Sequence, residues 1–158
     1  MSTPVLLVDY GVGNLLSVRR ALEAVGGAVE QTGDPARIAA AERVVLPGVG
    51  AFGGCMDELK KRALVEPILA YAKSGRPLLG ICVGMQMLFD ESEEMGRHAG
   101  LGIIPGRVVR FAADMMGADG RVLKVPQIGW NQLRHPGTDP LLAGVTDGAY
   151  AYFVHSYY

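Results

Sequence analysis

Short apolar runs alternate with stretches of helical spacing along the first part of the chain, up to Phe89. Runs of four or five mainly apolar residues are typical of sheet strands, and they occupy residues 5–9, 43–46 and 78–81; a short second strand is predicted over residues 29–32. Between them, apolar residues recur every three or four positions, as on the inner face of a helix. These helical positions are Leu15, Val18, Leu22 and Val25; Phe52, Met56, Leu59 and Ala63; Val65, Ile68, Leu69 and Ala72; and Met85, Leu88 and Phe89. The alternation predicts a parallel sheet covered by helices on both faces.

Capping and turn residues mark the ends of two predicted helices. Asn14 precedes the first helix as its cap, and the pair Gly26-Gly27 ends it. Asp34 followed by Pro35 predicts the start of a second, short helix, with the aspartate as cap and the proline at the first helical position.

The pattern changes after residue 106, where strand-like segments follow one another without helices between them. They cover residues 107–111, 122–133 with a break at Gly129, and 149–157. The predicted fold is therefore α/β, with a mostly parallel sheet flanked by helices and an added antiparallel strand region after residue 106. A chain of 158 residues suits one domain with its own core, spanning residues 1–158.

Composition and charge exclude several classes of function. Hydrophobic residues make up 49% and charged residues 20%, which is typical of a globular protein. The net charge is −1 with no basic block, so neither a nucleic acid nor a membrane surface is indicated as a partner. No apolar run approaches the roughly 20 residues of a membrane span. The amino-terminal sequence lacks a basic, signal-peptide-like start, so we expect a cytoplasmic protein.

A cysteine lies at the junction of a predicted strand and a predicted helix, within Gly80-Ile81-Cys82-Val83-Gly84. This is the cysteine form of the G-x-S-x-G nucleophile elbow, a sharp turn that lifts the nucleophile out of the sheet. Glycines two positions away remove side chains that would clash, and the following helix start favours a thiolate. The backbone N–H of Val83 would face a developing oxyanion. The alternative is a buried structural cysteine, a common role for a free thiol.

Two nearby features favour the nucleophile. Pro47-Gly48-Val49-Gly50 follows a different strand, so in a parallel sheet it lies at the same edge as Cys82 and can offer further backbone N–H groups. Gln86 lies four residues after Cys82, one turn along the same helix face. Taken alone, the loop could equally be an ordinary strand-to-helix turn and Gln86 an exposed polar residue.

The segment GICVGMQMLF, residues 80–89, followed by ESEE at residues 91–94, resembles the nucleophile segment of the triad (class I) glutamine amidotransferases. Within that superfamily, four segments resemble the glutaminase subunits of imidazole glycerol phosphate synthase. They are DYGVGNL at residues 9–15, PGVGAF at 47–52, QIGWN at 127–131 and YFVHSY at 152–157. The motifs are in register and the resemblance extends from residue 5 to residue 158.

The resemblance implies a role for each matching residue. Cys82 would be the nucleophile that forms a glutaminyl thioester, and the backbone N–H groups of Val49 and Val83 would bind the oxyanion. The residues implied to bind glutamine are Gly50, Gln86, Glu94, His155, Ser156 and Tyr157. The family also implies glutamine as substrate and, as partner, a (β/α)₈-barrel cyclase in a heterodimer, with residues 9–15 and 127–131 towards it.

The resemblance further implies that the catalytic base and its carboxylate come from a His-x-Glu segment after the His155-Ser156-Tyr157 motif. No such segment is found in these 158 residues. We therefore expect the chain to be the incomplete, inactive form of a longer protein. Two other functions remain open: a glutaminase of another pathway in the same superfamily, and a non-catalytic regulatory subunit that keeps the fold.

No cofactor or metal is expected. Gly11-x-Gly13 after the first strand lacks the third glycine of a dinucleotide fingerprint, because Leu16 occupies that position. The three histidines share no metal-ligand spacing with Cys55, which falls on a helix and is predicted to be a packed, inert thiol.

Overall fold

The computed structural model describes residues 2–117 and 119–158 and divides the chain into two compact units. The first unit ends at Val109, and the second is Arg110–Tyr158.

The first unit is built on a four-stranded parallel sheet. Its strands are β1 (Thr3–Val8), β2 (Gly27–Thr32), β3 (Val44–Leu46) and β4 (Leu78–Gly80), in the order β2-β1-β3-β4. The helices between them are α1 (Leu15–Ala24), α2 (Pro35–Ala40), α3 (Phe52–Lys61) and α4 (Val65–Lys73). The predicted parallel sheet flanked by helices is confirmed.

The strand order reverses at β1. The chain passes from β1 to β2 in one direction, and from β2 to β3 and β4 in the other. Because such crossovers are right-handed, α1 belongs to one face of the sheet and the later helices to the opposite face, where α2 packs on α4. Ligands of open α/β sheets bind at this kind of reversal, beyond the carboxyl ends of the strands. The loops after β1 and β3 are therefore the expected place for a site.

Two buried tyrosines hold opposite ends of the central strands. The Tyr71 hydroxyl donates to the carbonyls of Glu42 (3.1 Å) and Pro77 (2.9 Å), just before β3 and β4 begin. The Tyr10 hydroxyl donates to the Pro47 carbonyl (2.7 Å), directly after β3 ends. The buried apolar side chains of the core include Leu7, Val8, Ile38, Leu46, Phe52, Met56, Leu59, Leu64, Ile68 and Met87.

A short helix and a second small sheet complete the first unit. The helix, α5, is Val83–Gln86, and β5 (Phe89–Ser92), β6 (His98–Ala99) and β7 (Ile104–Val108) form a sheet in the order β6-β5-β7. Strand β5 pairs in parallel with β7 and antiparallel with β6.

The second unit contains an antiparallel hairpin of β8 (Gln127–Gln132) and β9 (Tyr150–His155), with a 3-10 turn at Pro140–Leu142 between them. Ile128 pairs with Val154, Trp130 with Tyr152, and Gln132 with Tyr150. Paired residues share a face of a hairpin, and all six of these side chains are exposed. We call this set the hairpin face. The antiparallel region predicted after residue 106 is confirmed by this pairing.

Several predicted elements differ in the structure. The helix expected to carry Met85, Leu88 and Phe89 is a single turn, because Phe89 begins β5 and pairs with β7. Strand β4 is only half-buried, since it is the edge of its sheet. Val25 is 83% exposed because α1 ends before it, at Ala24.

The bounds of the later strands also shift. The strand predicted over 107–111 is β7, which ends at Val108, and the one predicted over 122–133 begins only at Gln127. Gly129 is not a break, because it lies within β8 opposite Phe153. Across residues 2–117 and 119–158, no helix is long and apolar enough to cross a membrane.

Candidate functional site

Cys82 lies in a strained turn between β4 and α5. Its backbone has φ 56° and ψ −122°, a combination that a residue with a side chain rarely adopts, and its side chain is exposed. Its carbonyl accepts the N–H groups of Met85 (2.9 Å) and Gln86 (3.1 Å), which starts the helical turn directly after it. This is the geometry of a nucleophile elbow.

Glycine is required on both sides of the turn. A Cβ on Gly80 would collide with the backbone of Met85, and a Cβ on Gly84 would collide with the carbonyl of Leu46. A side chain at position 80 would force apart β4 and α5, and one at position 84 would push the elbow away from the end of β3. The steric reason for the G-x-C-x-G spacing is thus present in the structure.

The loop after β3 lies directly beside the elbow. Leu46 is in register with Gly80, and its carbonyl accepts the N–H of Ile81 (3.0 Å). Gly48 is buried, and a Cβ on it would lie 2.5 Å from the backbone nitrogen of Gly84. The backbone of Gly48 therefore packs directly against Val83 and Gly84, in the turn that carries Cys82.

Val83 directly follows Cys82, and Val49 follows Gly48, which packs against Val83 and Gly84. Val83 is the first residue of α5, and an N–H at that position has no acceptor within its own helix. Val49 is 46% exposed and follows the buried Gly48, while Gly50 has φ 84° and open space around its Cα. Two backbone N–H groups from separate loops at the carboxyl ends of β3 and β4 are an arrangement that can stabilise an oxyanion.

Glu94 belongs to the same part of the first unit. Its Oε2 accepts the backbone N–H of Phe52 (2.7 Å), at the start of α3 and two residues after Gly50. Its own N–H donates to the hydroxyl of Ser92 (3.1 Å), a fully buried residue that sequence reasoning missed. This contact uses one carboxylate oxygen. Glu94 therefore accepts a hydrogen bond at the start of α3 and also brings negative charge to the loop before that helix. Gln86 ends α5 and is half-buried.

The two cysteines have different surroundings. Cys82 is exposed, whereas Cys55 is 1% exposed and its Sγ donates to the Val49 carbonyl (3.3 Å). Burial raises the pKa of the Cys55 thiol, and the charges of Glu94 and Cys82 add to the rise, against the lowering effect of hydrogen bonds with Tyr10 and Val49. Cys55 is therefore held as a neutral thiol.

The remaining predicted residues, His155, Ser156 and Tyr157, belong to the second unit. The His155 Nδ1 lies 2.9 Å from the Tyr157 carbonyl oxygen, and its Nε2 lies 2.7 Å from the Oε1 of Gln127. A carbonyl only accepts, so Nδ1 carries the hydrogen. The Ser156 carbonyl accepts the N–H of Phe111 (3.0 Å). His155 also lines a cavity of about 640 Å³ within this unit.

Sequence reasoning also missed Tyr10, whose buried hydroxyl bonds to the loop after β3. The sequence does contain an indication of this role, because a tyrosine directly after an apolar strand is expected to be buried and its hydroxyl then needs a hydrogen-bond partner. Among the described residues, no group of three or more His, Cys, Asp or Glu side chains could hold a metal ion.

The fold, the elbow and the adjoining loop define a class of protein. The family model of the class-I glutamine amidotransferases matches residues 6–158, and the chain belongs to this family. It is similar to "Imidazole glycerol phosphate synthase subunit HisH" of Syntrophotalea carbinolica, with 55% identity over 154 residues. The protein of the same name from Geobacter sulfurreducens is 51% identical over 156 residues.

These alignments cover 98% and 99% of the chain and 74% of each relative. A solved structure of a protein described as a GMP synthase subunit, from Thermoplasma acidophilum, superposes with a TM-score of 0.60 at 16% identity. The superposition covers 99% of this chain and 66% of the Thermoplasma acidophilum chain. At this identity the likeness shows the fold alone, and it agrees with the predicted class.

Proposed function

We propose that this chain is the glutaminase subunit of an imidazole glycerol phosphate synthase, which acts in histidine biosynthesis in the cytoplasm. The observation that carries the proposal is the exposed Cys82 in its positive-φ turn, touched by the glycine loop after β3. The relatives named HisH, at 51–55% identity, support the choice of pathway over another glutaminase of the superfamily.

The proposed reaction is covalent. The Cys82 thiolate attacks the side-chain amide carbon of glutamine, and the resulting oxyanion accepts hydrogen bonds from the N–H groups of Val49 and Val83. Collapse of the tetrahedral intermediate breaks the C–N bond, and the leaving nitrogen takes up a proton and departs as ammonia. Water then attacks the thioester, which releases glutamate and returns the thiol. The net reaction is glutamine plus water to glutamate plus ammonia.

Substrate binding is assigned to groups around the elbow. Gln86 lies one turn beyond Cys82, and Gly50 and Glu94 lie at the loop and the start of α3. Glu94 has the charge to attract the α-ammonium of glutamine, in addition to its contact with Phe52. We assign the backbone of His155, Ser156 and Tyr157 to closing the pocket, on the family motif.

The proposed partner is a (β/α)₈-barrel cyclase that receives the ammonia and makes imidazole glycerol phosphate and an aminoimidazole carboxamide ribotide. The name of the relatives supports a partner subunit. The exposed, aromatic hairpin face includes Trp130 from the QIGWN motif, and an apolar patch of this kind is typical of a protein–protein contact.

We further propose that the 158 residues alone do not turn over glutamine. A cysteine amidase needs a base with an orienting carboxylate, and no His-x-Glu segment is present in this sequence. His155 is a poor substitute, because both of its ring nitrogens already have partners in the second unit.

The test is a glutaminase assay on the product of the complete reading frame, purified with and without its cyclase. We expect turnover that rises when the cyclase binds, and loss of that turnover in Cys82→Ala with the circular dichroism spectrum unchanged. Equal activity with and without the cyclase would argue against a coupled subunit, and activity retained in Cys82→Ala would rule out this nucleophile.

A further inference from the structure

The loop after β3 accepts a hydrogen bond from a buried hydroxyl. Tyr10 is 0% exposed, and its hydroxyl donates to the Pro47 carbonyl at 2.7 Å. Burial raises the pKa of the Tyr10 phenol, with a further rise from the neighbouring Cys55 thiol, so the phenol remains a hydrogen-bond donor at neutral pH. A buried phenol of this kind normally has a defined partner, and here the partner is loop backbone.

A second donor reaches the same loop two residues later. The Cys55 thiol projects from the first turn of α3 and donates to the Val49 carbonyl at 3.3 Å. The thiol also interacts with the Tyr10 hydroxyl. The two side chains thus form one buried polar pair beneath Pro47 and Val49.

The residue between these two carbonyls is also fixed. Gly48 is buried against Val83 and Gly84, without space for a Cβ. The Val49 N–H belongs to the peptide between Gly48 and Val49. Gly48 is fixed by its close packing, and the Val49 carbonyl accepts the hydrogen bond from Cys55, so both ends of this peptide are held. Without these contacts, a loop with glycine at positions 48 and 50 would have wide conformational freedom.

We propose that Tyr10 and Cys55 are positioning residues, which hold the Val49 N–H in the orientation needed to stabilise the oxyanion formed at Cys82. The inference rests on the proposed glutaminase function and deepens it. Neither residue touches the substrate. Preorganised donors stabilise a transition state because they need no reorientation when charge develops, so a loosened donor lowers the rate of acyl transfer.

The first unit offers a matched control for Tyr10. Tyr71 is equally buried (1% exposed), and its hydroxyl also donates to backbone carbonyls, but at the opposite, amino-terminal ends of β3 and β4. Tyr71→Phe removes the same oxygen from the same core. It reports the general cost of losing a buried tyrosine hydroxyl, without any effect on the loop.

The experiment uses the complete reading-frame product in complex with its cyclase and compares Tyr10→Phe, Cys55→Ala, Cys55→Ser and Tyr71→Phe. Turnover of glutamine is measured together with alkylation of Cys82 by iodoacetamide, followed by peptide mapping. Alkylation displaces iodide at a saturated carbon and forms no oxyanion, so it reports the thiolate alone. Hydrogen exchange of the 47–52 peptide reports the loop directly.

We expect Tyr10→Phe and Cys55→Ala to lower kcat about tenfold, less than the loss of a whole oxyanion donor, with KM and Cys82 alkylation changed less than twofold. Exchange at 47–52 should become faster. Cys55→Ser keeps a donor and should restore most of kcat. Tyr71→Phe should lower Tm and leave kcat unchanged.

The proposal is overturned if kcat is unchanged, if kcat and Cys82 alkylation fall together, or if exchange at 47–52 is unaltered. If the unsubstituted complex has no Cys82-dependent turnover, the proposed function has failed. The exchange measurement then decides on its own whether Tyr10 and Cys55 hold the loop.

Discussion

Gly84 shows how a single missing side chain fixes the site. It lies between the Cys82 turn and the end of β3, where a Cβ would collide with the Leu46 carbonyl. The colliding atom is backbone within a sheet, so the strain cannot be relieved by moving a flexible side chain. The same contact keeps the loop and the turn together, and any residue other than glycine would separate them.

We expect Gly84→Ala to lower the free energy of unfolding by at least about 2 kcal/mol because of this overpacking. Gly54→Ala is the matched control: Gly54 is exposed in the first turn of α3 with open space where a Cβ would lie, so the alanine should stabilise by up to about 1 kcal/mol. Urea unfolding of the 158-residue chain, followed by circular dichroism, measures both. Similar effects of the two substitutions would contradict the steric argument.

At this scale the sequence was informative where chemistry depends on local spacing. The sharp turn at Cys82 and the position of the 47–50 loop beside it were predicted from the glycines, because a tight turn requires particular residue types. Tyr10 and Cys55 were not recognised as a pair, because they are far apart in the sequence and come together only in the folded chain. Cys55 was correctly predicted to be buried, but its bond to Val49 could not be.

The hairpin face is the most conspicuous feature at the scale of elements. Alternate positions on both strands expose large apolar side chains, with Trp130 66% exposed and edge-on to Tyr152 at 5.5 Å between ring centroids. A sheet face of this kind is a ready contact for another chain. The isolated 158-residue chain should therefore associate with itself.

The double substitution Trp130→Ser and Tyr152→Thr should reduce this association and leave the chain monomeric at concentrations where the unsubstituted chain forms larger species. Static light scattering across a concentration series provides the measurement. Leu16→Ser is the control, because Leu16 is similarly exposed (58%) but lies on α1. If Leu16→Ser reduced association as much as the double substitution, the hairpin face would not be responsible.

The elements themselves were predicted best where a period is sustained or a cap is present. Asn14 and Asp34 cap α1 and α2 as expected, by accepting the N–H groups of Ser17 and Ala36. The helix after Cys82 was predicted too long, since Leu88 and Phe89 continue a helical spacing. In the structure, pairing of Phe89 with Ile104 overrides that local preference. Such a pairing depends on a segment 15 residues further along, which periodicity cannot detect.

At the scale of the whole molecule, we expect the 158-residue chain with its cyclase to hydrolyse glutamine at least about a thousandfold more slowly than the HisH protein of Syntrophotalea carbinolica. The physical reasons are that both ring nitrogens of His155 already have partners in the second unit and that this sequence contains no His-x-Glu segment. A coupled assay for glutamate formation measures the rate, and His155→Asn should leave the residual rate unchanged. Turnover comparable to the reference that disappears in His155→Asn would make His155 the base.

The family and the α/β architecture were both predicted at this scale, because several motifs occur in register along one chain. The division at Val109 was not predicted. A boundary between compact units depends on the density of long-range packing. The pattern does change after residue 106, but this change was interpreted as an added strand region within one domain, because strand-like segments continue beyond it.

Trp130 is the only tryptophan in the sequence, and it lies on the hairpin face. The tryptophan fluorescence of these 158 residues therefore has one source, which selective excitation of the indole separates from the six tyrosines. An indole in contact with water emits at longer wavelengths than one in an apolar contact, so covering the hairpin face would shift the emission to the blue, with no dye or tag attached. Titration with a cyclase, followed by the shift in tryptophan emission, would then give the affinity of that contact.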